Sequence, residues 1–309
     1  MKAFYENVGK GNNSLFHYVF TILLTIIGYI IGQIPLYVAM WWSMRSHVDV
    51  GKEALAKFQK NPDFSILHID KNIGFFLILL FFVFALFALY VGVRYIHKRK
   101  FLTVISGDGR FDWKRMIWGT LIWLSMLIIV EVSLYFYDSS NYIFRDPELS
   151  FLVLLLISVL ILPIQTAFEE IFTRGYLLQS VVYNTRSIFL GFLVSIIVFS
   201  FMHGANPETF KYGFWPMMSY YISAAVFLGL IVVFDKRLEL AIGVHTATNI
   251  FGALFVTYYG AALQTDSMFI TKKINPVLLA IEICILGCIF LFISYKKYKW
   301  DISNSFNND

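Results

Sequence analysis

Apolar positions in this chain neither alternate as in a half-buried strand nor recur on one helical face. They run on unbroken. Such runs cover Phe16 to Met40, Ile73 to Val93, Ile117 to Tyr137, Phe151 to Ala167, Ser187 to Met202, Trp215 to Phe234, Leu240 to Tyr259 and Pro276 to Tyr295. A bilayer core takes about 20 apolar residues per helix, so the pattern predicts eight membrane helices. The fourth continues past its apolar part into a charged helical stretch, Phe168 to Ser180, and the fifth is short. Pro163 predicts a kink in the fourth. The first run, about 25 residues, exceeds the roughly 7–15 of a signal sequence and lacks a small-x-small site, so a retained helix is expected.

Between the runs, Trp41 to Asn72 carries both charge signs and contains Glu53 to Lys57, a short exposed helix by pattern. Arg94 to Arg115 is rich in cations and aromatics, as an interfacial segment or a stop-transfer cluster would be. The tail at 301–309, rich in Asn and Ser, is expected to be disordered.

Composition agrees with the pattern. The 309 residues are 58% hydrophobic and 15% charged, against roughly 25% charged in soluble domains. Disordered, collagen-like and disulfide-scaffold classes are excluded. Cys284 and Cys288, four apart in one apolar run, read as packing residues. The net charge of +5 comes without a basic, aromatic-interleaved soluble face, so no nucleic acid is expected as a partner. With the N-terminus inside, sixteen of the 25 lysines and arginines fall in inner segments, seven of them between Arg94 and Arg115. Both termini are therefore expected in the cytoplasm. The fold class is all-α: a polytopic membrane bundle with a kinked fourth helix and a polar site inside it.

Ionisable side chains at membrane depth are costly, which makes them the first functional candidates. Glu131 and Glu282 stand alone and read as interhelical hydrogen-bond partners. Glu170 and Arg174 are i,i+4 neighbours in the favourable order for a pair, while Glu169 is turned about 100° away and left free. His203 closes the fifth run after Phe199, ahead of Gly204, Asn206 and Pro207. His245 and Asn249 share one face of the seventh run, flanked by Ala241, Gly243, Ala247, Gly252 and Ala253, which permit close helix packing. Taken singly these read as an end-of-helix ion pair, a cap and interhelical glue. Together, a carboxylate, two imidazoles and an amide supply what hydrolysis needs: a base for water, a group to position it, and donors for an oxyanion.

Glu-Glu-x-x-x-Arg at Glu169, Glu170 and Arg174, Phe-x-x-x-His at Phe199 and His203, and His-x-x-x-Asn at His245 and Asn249 resemble, in order, the motifs of the CAAX-protease and bacteriocin-processing (CPBP, or Abi) family. Its best-known members are the Ras-converting CAAX endoproteases. The resemblance implies an intramembrane peptidase acting on a membrane-anchored or lipidated peptide among membrane lipids. By that similarity Glu169 activates water with His203 as its partner. His245 and Asn249 stabilise the oxyanion, and Glu170, Arg174 and Phe199 support the site. No cofactor is required on this reading. Zn²⁺ on Glu169, His203 and His245 would match a His₂Glu set, but no His-Glu-x-x-His is present.

The chain then divides into three N-terminal helices with the basic loop (1–145), a CPBP-like core (146–260), a C-terminal helix (261–300) and the tail (301–309). The expected setting is a bacterial plasma membrane, with a polar cavity open to the cytoplasm and a re-entrant or buried segment after His203. Oligomeric state is not legible. Competing readings are a proton-coupled transporter, for which no repeat is visible, and a non-proteolytic scaffold or immunity protein.

Overall fold

The computed structural model describes residues 3–303, 305 and 306. All eight expected helices form, as α1 Leu15–Ser46, α2 Lys71–Val91, α3 Trp113–Tyr137, α4 Ser150–Leu160, α5 Leu162–Glu170, α6 Leu178–Thr185, α7 Ile188–His203, α8 Phe214–Asp235, α9 Glu239–Leu254 and α10 Pro276–Tyr298. The expected fourth helix is α4, α5, a π-helical turn Ile171–Leu177 and α6 taken together. Six of the described helices are long and apolar enough to cross a membrane, counting that composite as one; α7 and α9 have 16 residues each. The protein is an all-α polytopic membrane protein.

Polar residues at the ends of the apolar runs set where helices start. Asp70, Asp112, Ser187 and Asn275 accept hydrogen bonds from the free first-turn N–H groups of Ile73, Arg115, Leu190 and Val277. One boundary departs from the pattern. The seventh run stops being helical at Leu254, and Val256–Tyr258 becomes strand β2 of a small sheet with β1 (Tyr142–Phe144) and β3 (Phe269–Thr271). The order is β1-β3-β2, antiparallel then parallel. A short apolar stretch of Val, Thr and Tyr fits a strand as well as a helix end, and only the pairing partner decides.

The helices alternate in direction, so the connections collect at two ends. At the terminal end, Asn7 donates to Gly107 O, the Leu238 N–H to Ile105 O, and Arg115 and Trp300 both bond Asp235. At the sheet end, Lys71 and Arg145 meet on Asp266, and Asn141 donates to Lys273 O. The Arg94 to Arg115 segment is not a flat interfacial strip. His97, Arg99 and Val93 to Ser106 residues such as Val104 and Ile105 are buried, and Arg99 bonds Thr103 and Gln179. Lys52–Lys60 is the short exposed helix expected around Glu53.

Two smaller expectations change. Cys284 and Cys288 are exposed on the outside of α10 rather than packed, as suits weakly polar thiols facing lipid. Of the tail, residues 304 and 307–309 lie outside the described residues, whereas Ser305 is buried and Phe306 packs on Phe192 and Phe234.

What positions the site is the close approach of α9 to α3. A Cβ on Gly243 would collide with the Met116 carbonyl, so glycine lets the two backbones touch. The Trp123 indole N–H, on α3, donates to Thr248 Oγ1 at 2.8 Å. Gly252, by contrast, has open space where a Cβ would sit, and lines a cavity instead of a helix contact.

Candidate active site

The fourth span is broken twice around its polar residues. Helix α4 ends at Leu160, Ile161 turns, and Pro163 starts α5 in the first turn, where its missing N–H leaves no bond unmade. This is the expected kink. Eight residues later the α-helix widens into the Ile171–Leu177 π turn, a local form common at functional sites. Glu169 and Glu170 are the last residues of α5, between the two irregularities.

Glu170 is fully enclosed. Its Oε1 accepts from Arg174 Nη1 at 2.7 Å and from His245 Nδ1 at 2.9 Å. Arg174, also fully buried, donates through Nη2 to Ala225 O and lays its guanidinium over the Phe199 ring, 4.4 Å from the centroid. The pairing expected for Glu170 and Arg174 is present. Its second product is the orientation of His245: with Nδ1–H donated to Glu170, Nε2 faces the other acid.

Glu169 is 4% exposed. Oε1 accepts from Gln165 Nε2 at 2.7 Å, and Gln165 Oε1 accepts from Asn249 Nδ2 at 2.9 Å. Oε2 has no hydrogen-bond partner. It faces His245 Nε2 at 3.6 Å and His203 Nε2 at 3.8 Å. The His203 ring lies between Phe199 (4.5 Å) and Tyr221 (4.6 Å), and its Nδ1 bonds Phe199 O at 2.8 Å, which also directs Nε2 at Glu169. One carboxylate oxygen and two imidazole nitrogens thus converge without bonding one another, at separations that one water oxygen can bridge. The structure brings together Glu169, His203, His245 and, through Gln165, Asn249.

These groups line the wall of a cavity of about 810 Å³ whose other residues are mostly apolar, among them Tyr29, Phe82, Phe168 and Leu228. It extends to Phe58, Pro62 and Ala261 to Leu263 at the sheet end, not toward the cation-rich terminal end as expected. The reason is the length of α7. Sixteen residues rise about 24 Å, short of the roughly 30 Å hydrocarbon core, so His203 stops inside the bundle. The next helix, Pro207–Lys211, folds inward with Glu208 and Thr209 buried, which is the buried segment expected after His203.

Among the described residues no group of three or more His, Cys, Asp and Glu side chains is placed to hold a metal ion. Glu170 and Phe199 O hold the two Nδ1 atoms and Gln165 one oxygen of Glu169, which leaves both Nε2 atoms and Glu169 Oε2 as the atoms that would hold a metal.

Three residues of the site were not singled out from sequence. Gln165 is an amide at i−4 from Glu169, a spacing that could have been read. Tyr221 and Glu208 come from other elements and carried no signal. Glu131 accepts from Tyr142 on β1 at 2.6 Å, a helix–strand bond in place of the interhelical one expected, and no hydrogen bond reaches Glu282 among the described residues.

Residues 148–251 match the family model described as type II CAAX prenyl endopeptidase Rce1-like, a stretch that contains Glu169, Glu170, Arg174, Phe199, His203, His245 and Asn249. Over 296 residues, 94% of either chain, the protein is 27% identical to "Uncharacterized protein YyaK" of Bacillus subtilis (strain 168). No solved structure matches it. The motifs and their convergence on the wall of one chamber fall within the stretch, residues 148–251, that is similar to the type II CAAX prenyl endopeptidase Rce1-like model.

Proposed function

We propose that the protein is an intramembrane endopeptidase that hydrolyses a peptide bond of a membrane-anchored or lipidated substrate with water activated by Glu169. The observation that carries this reading is the unpartnered Glu169 Oε2, held between His203 Nε2 and His245 Nε2 on the wall of a mostly apolar chamber. Oε2 takes a proton from water, and the water oxygen attacks the scissile carbonyl carbon. His203 orients that water. The oxyanion is met by His245, held at Nδ1 by the Glu170 carboxylate with Nε2 turned to the reacting centre, and by the Asn249 N–H not used on Gln165. Collapse breaks the C–N bond as the proton moves from Glu169 to the leaving amine.

Each role has its support in contacts. Glu170 and Arg174 hold His245, Phe199 holds Arg174 and His203, and Gln165 ties Glu169 to Asn249. No step needs a metal or other cofactor. The apolar chamber suits a substrate segment that is itself apolar. With both termini in the cytoplasm of a bacterial plasma membrane, which the distribution of lysine and arginine supports, the chamber faces the outer surface.

The test uses the purified protein in proteoliposomes with membrane-anchored and prenylated peptides. Wild type is expected to cleave, and Glu169→Gln, His203→Ala and His245→Ala to be inactive. Cleavage surviving all three substitutions overturns the site. Activity lost to a chelator and restored by Zn²⁺ overturns the metal-free step, and dissipation of a solute gradient without cleavage favours a transporter.

A further inference from the structure

The chamber holds a second carboxyl group that the hydrolytic step does not use. Glu208 is 3% exposed and lines the cavity from the short helix after His203. Its Oε1 accepts from the Tyr221 hydroxyl, which itself accepts from Asn206 Nδ2 at 2.9 Å. Its Oε2 is buried without a partner. Among the described residues no cation pairs with it. The adjacent Lys211 turns away to the faces of Tyr212 and Tyr259, at 5.5 and 5.3 Å.

The surroundings of Glu208 are aromatic. Tyr220 and Tyr221 from α8 and Tyr258 from β2 line the same wall. Tyrosine faces attract cations, and a carboxyl group buried among them is costly until an opposite charge arrives. Burial pushes the Glu208 carboxyl above the usual carboxylate range, against the Tyr221 hydrogen bond that lowers it. A bound cation acts in the lowering direction too, so the site gains its charge when it is filled. The Tyr221 ring also lies against that of His203, tilted by 35° at 4.6 Å, so this acid lies one ring away from the reacting groups.

We propose that Glu208, with Tyr220, Tyr221 and Tyr258, forms a subsite for a cationic group of the substrate next to the scissile bond. The group is an ammonium or guanidinium, from a lysine or arginine side chain or from a free N-terminus. The proposal rests on the peptidase reading above. Glu208 is then a specificity-determining residue: it selects the peptide and leaves the water to Glu169.

Binding is measured apart from turnover, in detergent micelles with Glu169→Gln as the parent. The probes are fluorescent membrane-anchored peptides, identical except for lysine or norleucine near the centre, each with a free or acetylated N-terminus. A charge-assisted hydrogen bond in a buried site corresponds to about tenfold or more in affinity. The lysine or the free-amine peptide is expected to bind at least about tenfold tighter than its neutral counterpart, and which one does identifies the source of the charge. Adding Glu208→Gln is expected to bring that ratio to about one while leaving the neutral peptide within about twofold. Acetylating the lysine should do the same without any change to the protein. A ratio near one in the parent, a preference that persists in Glu208→Gln, or equal weakening of charged and neutral peptides overturns the subsite. Cleavage by the Glu169→Gln parent would instead break the peptidase mechanism and leave the preference standing, so the two failures are distinct.

Discussion

The two places where this protein buries charge are built on different rules. At the terminal end, Asp235 takes Arg115 and the Trp300 indole, Glu239 takes Arg237, and Arg99 takes Gln179 and Thr103. Those acids meet cations or strong donors from the loops that they pin. In the chamber, Glu170 follows the same rule with Arg174, but its neighbour Glu169 does not: its partners are a neutral amide and two imidazoles that stop 3.6 and 3.8 Å away. Glu170 Oε2 and Asp235 Oδ2 also lack a hydrogen-bond partner, so what sets Glu169 apart is that its free oxygen faces two imidazole nitrogens within reach of one water, where it can do chemistry.

That contrast is broken most severely at Glu169. Glu169→Gln keeps the Gln165 contact and the shape of the site, and should lower kcat by about 10³-fold or more, with the unfolding temperature nearly unchanged, in peptide cleavage and thermal melts. A comparable loss of stability would move Glu169 into the structural class. Arg174→Met leaves Glu170 buried without its cation and should cost about 3–5 kcal/mol in unfolding measurements. Adding Glu170→Met should recover much of the stability and none of the cleavage, because His245 has then lost its anchor.

At the terminal end, Arg115→Met should cost about 2 kcal/mol, since Trp300 still serves Asp235, and leave kcat intact in the same assay. Gln165→Leu tests the tie between Glu169 and Asn249. It should reduce kcat about tenfold with little change in melting temperature.

The smallest effect concerns pH. Burial raises the Asp108 carboxyl, but the Ser106 hydroxyl and the Arg237 guanidinium outweigh it and bring it down to about 2. A lowered folded-state value means stability that is present above the usual carboxylate range and is lost as pH falls toward 2. Asp108 is half exposed, so Asp108→Asn should shift stability at neutral pH by less than about 1 kcal/mol, and wild type and variant melts should converge near pH 2.

Most of the fold was legible because a bilayer imposes one simple demand, and eight apolar runs met it. The end of the seventh run was not, since whether Val256 to Tyr258 pair as a strand depends on Phe269 to Thr271, which follow a loop. Within the site, i,i+4 spacing revealed Glu170 with Arg174 and His245 with Asn249. It could not reveal that His245 bonds Glu170, 75 residues away in sequence, or that Asn249 reaches Glu169 only through Gln165. The loop from Arg94 to Arg115 misled for a similar reason: cations next to a membrane look alike whether they lie on lipid or fold into the bundle.

The sequence by itself determined that the chain is a membrane bundle, which residues are stranded at depth, and the order of the motifs, because charge is so costly in hydrocarbon that each buried instance stands out. Tertiary structure alone decided which of two adjacent glutamates turns a free oxygen toward two imidazoles, that the chamber runs toward the sheet end, and that Glu208 joins it. Those are distances between helices, and a periodicity along one helix carries no information about them.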